Sequence, residues 1–102
     1  MTKLPQIATM AELRLEIDRL DAALVDLLAE RTAMIDRAIE LKPGEGLPAR
    51  IESRVEDVLA KVRARAEAAG APPELVEVLW REMMEFFIAR EESVLGRGDG
   101  GT

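Results

Sequence analysis

Arg31 is the residue whose position packing explains least. Apolar residues recur at Leu13, Ile17, Leu20, Leu24 and Leu27, alternating steps of four and three, and position 31 is next on that seam. A cation there is costly unless it is paired. Two readings stand: a polar seam residue that fixes pairing or meets a core carboxylate, or an anion-binding group that faces a cavity. Lys42 follows 11 residues later. On a helix it returns to within about 20° of the same face, about 16 Å along the axis, so two long basic side chains could lean toward one ligand. Taken alone, Lys42 is also a natural helix C-terminal cation. Arg54 falls near the start of a second helical run, where a cation opposes the helix dipole, and simple exposure is its plain reading. Glu91 lies four residues after Phe87 and eight after Met83, on an apolar face. It is either the fraying end of that face or a partly buried carboxyl able to keep its proton and donate a hydrogen bond.

What is missing narrows the chemistry. The 102 residues include no His and no Cys. Disulfides, thiolate catalysis, Ser-His-Asp triads, the usual zinc sites and Glu-x-x-His di-iron sites lose their ligands. Any catalysis must use Arg, Lys, Asp, Glu, Ser or Thr. A net charge of −6 argues against nucleic acid as the main partner, although local charge can still hold an anion. No window reaches transmembrane length, and Met1–Met10 lacks the apolar run of a secretory signal. A cytoplasmic protein without a membrane partner is expected.

The elements that must position these groups are helices. Hydrophobic residues make up 48% of the chain and charged residues 33%, with one Trp, two Phe and no Tyr. Thr9-Met10-Ala11-Glu12 has the form of a capping box, and no Gly or Pro follows until Pro43. The spacing predicts a helix to Lys42, about 48 Å long. Pro43 to Pro48 read as a loop. A second helix is expected over about Ala49–Ala69, with its seam at Ile51, Val55, Val58, Val62, Ala66 and Ala69 and with Gly70 just past its end. Pro72-Pro73-Glu74 opens a third helix to about Leu95, with Val76, Leu79, Trp80, Met83, Phe87 and Val94 on one face. The expected organisation is a flexible start (1–8), one helical domain (9–95) and a disordered Gly-rich tail (96–102). The Arg97-Gly98-Asp99 tripeptide in that tail reads as chance. So long a first helix exceeds what a lone chain of this size covers, which makes a partner subunit the natural cover.

The run Leu13-Arg14-Leu15-Glu16-Ile17-Asp18-Arg19-Leu20-Asp21, then Leu27-Leu28-Ala29-Glu30-Arg31, then Lys42, resembles the first helix of the all-helical chorismate mutase family. The likeness continues without a gap through Pro48 and Arg54 to Glu91, and covers about residues 10–95. It implies an all-α fold of three helices per chain, one of them long, in an intertwined homodimer with two equivalent sites. Arg14 and Arg31 stand about 25 Å apart along one helix, so they cannot hold the same small molecule from one chain. Antiparallel pairing of two long helices brings Arg14 of one subunit near Arg31 of the other. By resemblance, Arg14 from the partner, Arg31 and Arg54 bind the two carboxylates of chorismate, where guanidinium forks fit. Lys42 and Glu91 donate to the ether oxygen of the breaking C–O bond. The implied reaction is the rearrangement of chorismate to prephenate in aromatic amino acid biosynthesis, driven by positioning and fixed electrostatics.

Three departures qualify the likeness. Where the family commonly has an Asp and a Glu that bind the ring hydroxyl, this chain has Ile51 and Val55, which leaves Glu52 or the backbone to take over that contact. Phe87 replaces a small polar residue. Glu91 stands where many members have Gln, so it must carry a proton to donate. The apolar replacements also resemble the related isochorismate-pyruvate lyases, which form salicylate. A dimeric helical scaffold without activity is the non-enzymatic alternative, and Arg31 on the seam speaks against it.

Overall fold

Long runs of helix-forming residues build the elements, of which the first helix alone has a side-chain N-cap, while a glycine follows all three helices. The computed structural model describes residues 6–96, and among them the elements are α1 (Met10–Glu45), α2 (Glu52–Ala69) and α3 (Pro73–Leu95), without a strand. The expected all-α class and the three helices are found. Thr9 caps α1, its Oγ1 accepting from the Glu12 N–H at 3.2 Å, while Glu12 Oε2 accepts from the Ala8 N–H at 2.8 Å. No described helix is long and apolar enough to cross a membrane.

Two helix boundaries differ from expectation. α1 does not stop at Lys42 but continues through Pro43 to Glu45. Proline in a last turn forfeits a single backbone bond and already holds a helical φ. The true stop is Gly46 at φ 68°. There Leu47 N–H closes on the Lys42 carbonyl at 2.9 Å and Gly46 N–H on that of Pro43 at 3.2 Å, the paired bonds of a Schellman end. α2 begins at Glu52 rather than near Ala49, with Ile51 extended at φ −125°, ψ 103°. The Lys42 Nζ takes the Ala49 carbonyl at 2.8 Å, so a tertiary bond holds this stretch out of the helix. The end of α2 and the start of α3 match expectation: Gly70 is left-handed at φ 79°, and Pro73 stands in the first turn of α3.

The described residues form two units that divide within α1, between Met34 and Ile35. Among the described residues the first is α1 from Met10 to Met34, preceded by the non-helical stretch 6–9. Its Leu15, Leu20, Leu24, Val25, Leu27 and Met34 are all more than half exposed. In the second, α2 packs on α3, and the core is Ala49, Leu59, Ala66, Met84, Phe87 and Ile88. The buried stripe on α3 is therefore turned from the expected one. Met84 and Ile88 are inside, while Leu79 and Val94 are exposed at 51% and 66%. On α2, Leu59 is buried and Ala69 exposed. Periodicity could not choose, because apolar residues nearly encircle α3 and the neighbour decides which side is covered. The expected flexible start (1–8) lies mostly outside the described residues, as does the tail (96–102) beyond Gly96, with its Arg97-Gly98-Asp99.

Two substitutions test this packing by thermal or denaturant unfolding. Leu59→Ala is expected to cost about 2–4 kcal/mol by opening a cavity between α2 and α3. Gly70→Ala meets no atom within 4 Å of the added Cβ, so its expected cost of about 1 kcal/mol comes from the left-handed backbone alone.

Candidate active site

The last turn of α1 and the last two turns of α3 carry one basic and one acidic side chain into the interior of the second unit. Lys42 and Glu91 have side-chain exposures of 16% and 6%, with Nζ 2.6 Å from Glu91 Oε1. The ammonium donates to the Ala49 carbonyl at 2.8 Å, so its three hydrogens are not all engaged by the protein. Glu91 Oε1 is shielded from water and has its charge partner beside it, but no aligned hydrogen bond among the described residues. A buried pair with unused hydrogen-bonding capacity suits an additional polar partner. Glu91 is thus no fraying end: it is the one buried charged residue described.

Neighbouring charges link the elements that carry this pair. Asp36 on α1 and Arg90 on α3 form a two-pronged ion pair, Nε to Oδ1 at 2.9 Å and Nη2 to Oδ2 at 3.0 Å. Arg50, in the stretch that supplies the Ala49 carbonyl, bonds Glu52 at 3.1 Å and also pairs with Glu85 on α3. Glu85 holds the Arg50 guanidinium pKa above its ordinary value, and Arg50 holds the Glu85 carboxyl below its own. Composition and periodicity gave no sign of these links. Asp36 lies off the apolar seam, and partners 54 positions apart leave no local pattern.

The remaining expected site residues divide between the two units. In the second, Ile51 and Val55 are half-buried, Glu52 is exposed and engaged by Arg50, and Phe87 is buried one turn before Glu91 on α3. Arg54 is exposed, its Nη1 2.7 Å from Asp57 Oδ2. Asp57 also pairs with Lys61 at 3.1 Å, and Lys61 and then Arg54 keep its carboxyl below the usual range. In the first unit, Arg14 is exposed and Arg31 half-buried. The structure brings together Lys42 and Glu91, and leaves Arg54 on a surface carboxylate. A shallow apolar groove of about 220 Å³ between α2 and α3, lined by Val62, Ala66, Val76 and Trp80, lies toward the other end of the hairpin and holds only Arg65 as a charge.

The family described as chorismate mutase type II matches residues 13–92. Over 87 residues the chain is 40% identical to a T-protein of Enterobacter agglomerans, covering 84% of this chain and 23% of that protein. A T-protein of Haemophilus influenzae is 34% identical over 82 residues, covering 80% and 22%. A bifunctional chorismate mutase/prephenate dehydratase of Aquifex aeolicus is 31% identical over 88 residues, covering 83% and 24%. The chain thus spans less than a quarter of the length of the curated relatives it matches. No solved structure matches. The family match takes in Arg14, Arg31, Lys42, Arg54 and Glu91 together, over most of the length, and the chain belongs to the chorismate mutase type II family.

Proposed function

We propose that this chain is a chorismate mutase that works as a homodimer and converts chorismate to prephenate without metal or cofactor. The observation that carries the reading is the buried Lys42–Glu91 pair, in a chain whose family match includes both residues. The rearrangement breaks a C–O bond as a C–C bond forms within one molecule. It needs a substrate held folded, and donors where charge develops on the ether oxygen. Lys42 has a hydrogen left to give. Glu91 faces the Lys42 ammonium at 2.6 Å in the free protein, and a carboxyl donates only in its protonated form. Arg31 and Arg54 of one subunit, with Arg14 of the other, hold the two carboxylates. Arg54 leaves Asp57 to do so, exchanging one carboxylate for another at little net cost.

The dimer is part of the proposal. Leucine and valine side chains on the first unit that are more than half exposed call for a cover, and a second copy of the same helix supplies one. Ile51 and Val55 make the wall where a ring hydroxyl would otherwise meet carboxylates, so hydroxyl recognition falls to Glu52 or the backbone.

The direct test is to incubate the purified protein with chorismate and, separately, with isochorismate. Prephenate from chorismate is the expected product. Salicylate and pyruvate from isochorismate, with chorismate untouched, would replace the reading with a lyase, and silence toward both would leave a scaffold. Arg31→Ala is expected to lower kcat/KM roughly 10- to 100-fold, the worth of one charge-assisted carboxylate contact. Glu91→Ala removes the donor and is expected to lower kcat about 100-fold or more, whereas Glu91→Gln keeps a donor at that position and should lose far less; an alanine variant as active as wild type would refute the donor role. Leu24→Asp should give a monomer by sedimentation and abolish turnover, whereas a dimer that is still active would contradict the proposed interface.

A further inference from the structure

The stretch of α1 from Ile35 to Glu45 faces α3 across a gap that backbone packing does not close. No Cα in this stretch comes within 8 Å of a Cα of α3. Two ion pairs bridge the distance instead, Lys42–Glu91 and Asp36–Arg90. On α1 the two anchors stand six residues apart, about 9 Å along the axis. On α3 they are neighbours in sequence, about 1.5 Å apart along theirs. A single ion pair between two rods is a pivot, because it fixes a point and leaves the crossing angle free. A second pair, well separated on one of the rods, removes that freedom.

The charge order gives the arrangement a direction. α1 presents acid and then base, and α3 presents base and then acid. The exchanged matching, with Glu91 against Asp36 and Arg90 against Lys42, would set like charge against like. An exposed ion pair commonly contributes little, and Asp36 and Arg90 are each nearly half exposed. This one has the two-pronged guanidinium–carboxylate geometry, which fixes orientation as well as distance. Arg90 is also the residue immediately before Glu91, so a change in its anchor turns the Glu91 carboxyl directly.

We infer that Arg90 is a positioning residue for the mutase reaction: held by Asp36, it sets the angle of α3 so that the Glu91 carboxyl meets Lys42 and the substrate's ether oxygen together. The inference rests on the proposed mutase activity, and it assigns Arg90 no contact with substrate. Because the pair acts on geometry at the reacting bond and not on carboxylate binding, its loss falls on kcat.

The test uses the full chain with Arg90→Gln, Asp36→Asn and the double variant Asp36→Asn/Arg90→Gln. Each single variant is expected to lose about 3- to 10-fold in kcat with KM within about twofold of wild type, as a small misplacement at the reacting centre would give. The double variant should lose no more than either single, because each removes the same bridge. Singles with unchanged kcat, losses confined to KM, or single losses that multiply in the double variant would each overturn the inference. An activity-independent readout separates this from the fate of the mutase reading. In thermal unfolding, the non-additivity of Lys42→Met and Glu91→Gln should shrink by about half or more when Arg90 is replaced by Gln. If wild type leaves chorismate unchanged, the mutase reading falls, and this cycle still decides whether Arg90 aligns the pair: non-additivity that is the same in both backgrounds sinks it.

Discussion

A lysine and a glutamate taken out of water side by side constrain everything around them. Bringing an ammonium and a carboxylate into the interior costs several kcal/mol per ion before their attraction returns part of it. An apolar pair of similar shape would serve stability as well or better, so core-building does not account for Lys42 and Glu91. What the pair requires is support. The Ala49 carbonyl must be available to the ammonium, and the chain at Ala49 lies outside both helices, with α2 starting only at Glu52. α1 must run past Pro43 so that Lys42 lies inside a helix and not at its frayed end. α3 must turn Met84, Phe87, Ile88 and Glu91 inward as one stripe.

That dependence explains which parts of the molecule could be read in the sequence and which could not. The three helices, Gly70 as a left-handed stop and Pro73 as a start are local events, governed by residues within a turn of one another. Arg31, Arg54 and Glu91 were legible because each broke a local rule of helix stability or burial, and Lys42 because it returns to the face of Arg31. The start of α2 was not legible, because a lysine from another element decides it. The inward face of α3 was not either, since Leu75, Val78, Leu79 and Phe86 are all exposed while Met84 and Ile88 are buried, and hydrophobicity alone ranks them alike. The Asp36–Arg90 and Arg50–Glu85 links join residues far apart in sequence and left no pattern to find.

The first unit poses the opposite problem. Its sequence carries a clear apolar seam, and the chain by itself leaves that seam in water. A long helix with exposed leucines on one side and a cation on the seam at Arg31 is consistent as half of an assembly and wasteful as a whole. In the proposed dimer a two-chain site follows from the same geometry, because Arg14 and Arg31 are about 25 Å apart on one rod and a small dicarboxylate spans a fraction of that. The proposal thereby gives catalysis and assembly a single cause, the length of α1.

The most direct test of that account mixes two inactive variants. Arg14→Ala and Arg31→Ala are prepared separately, unfolded together at equal concentration and refolded. If sites are built from Arg31 of one chain and Arg14 of the other, each mixed dimer contains one intact site, and about a quarter of wild-type chorismate turnover should return through statistical pairing alone. No recovery from the mixture, with both variants folded and dimeric, would mean that the two arginines do not meet across subunits and would contradict the shared-site account.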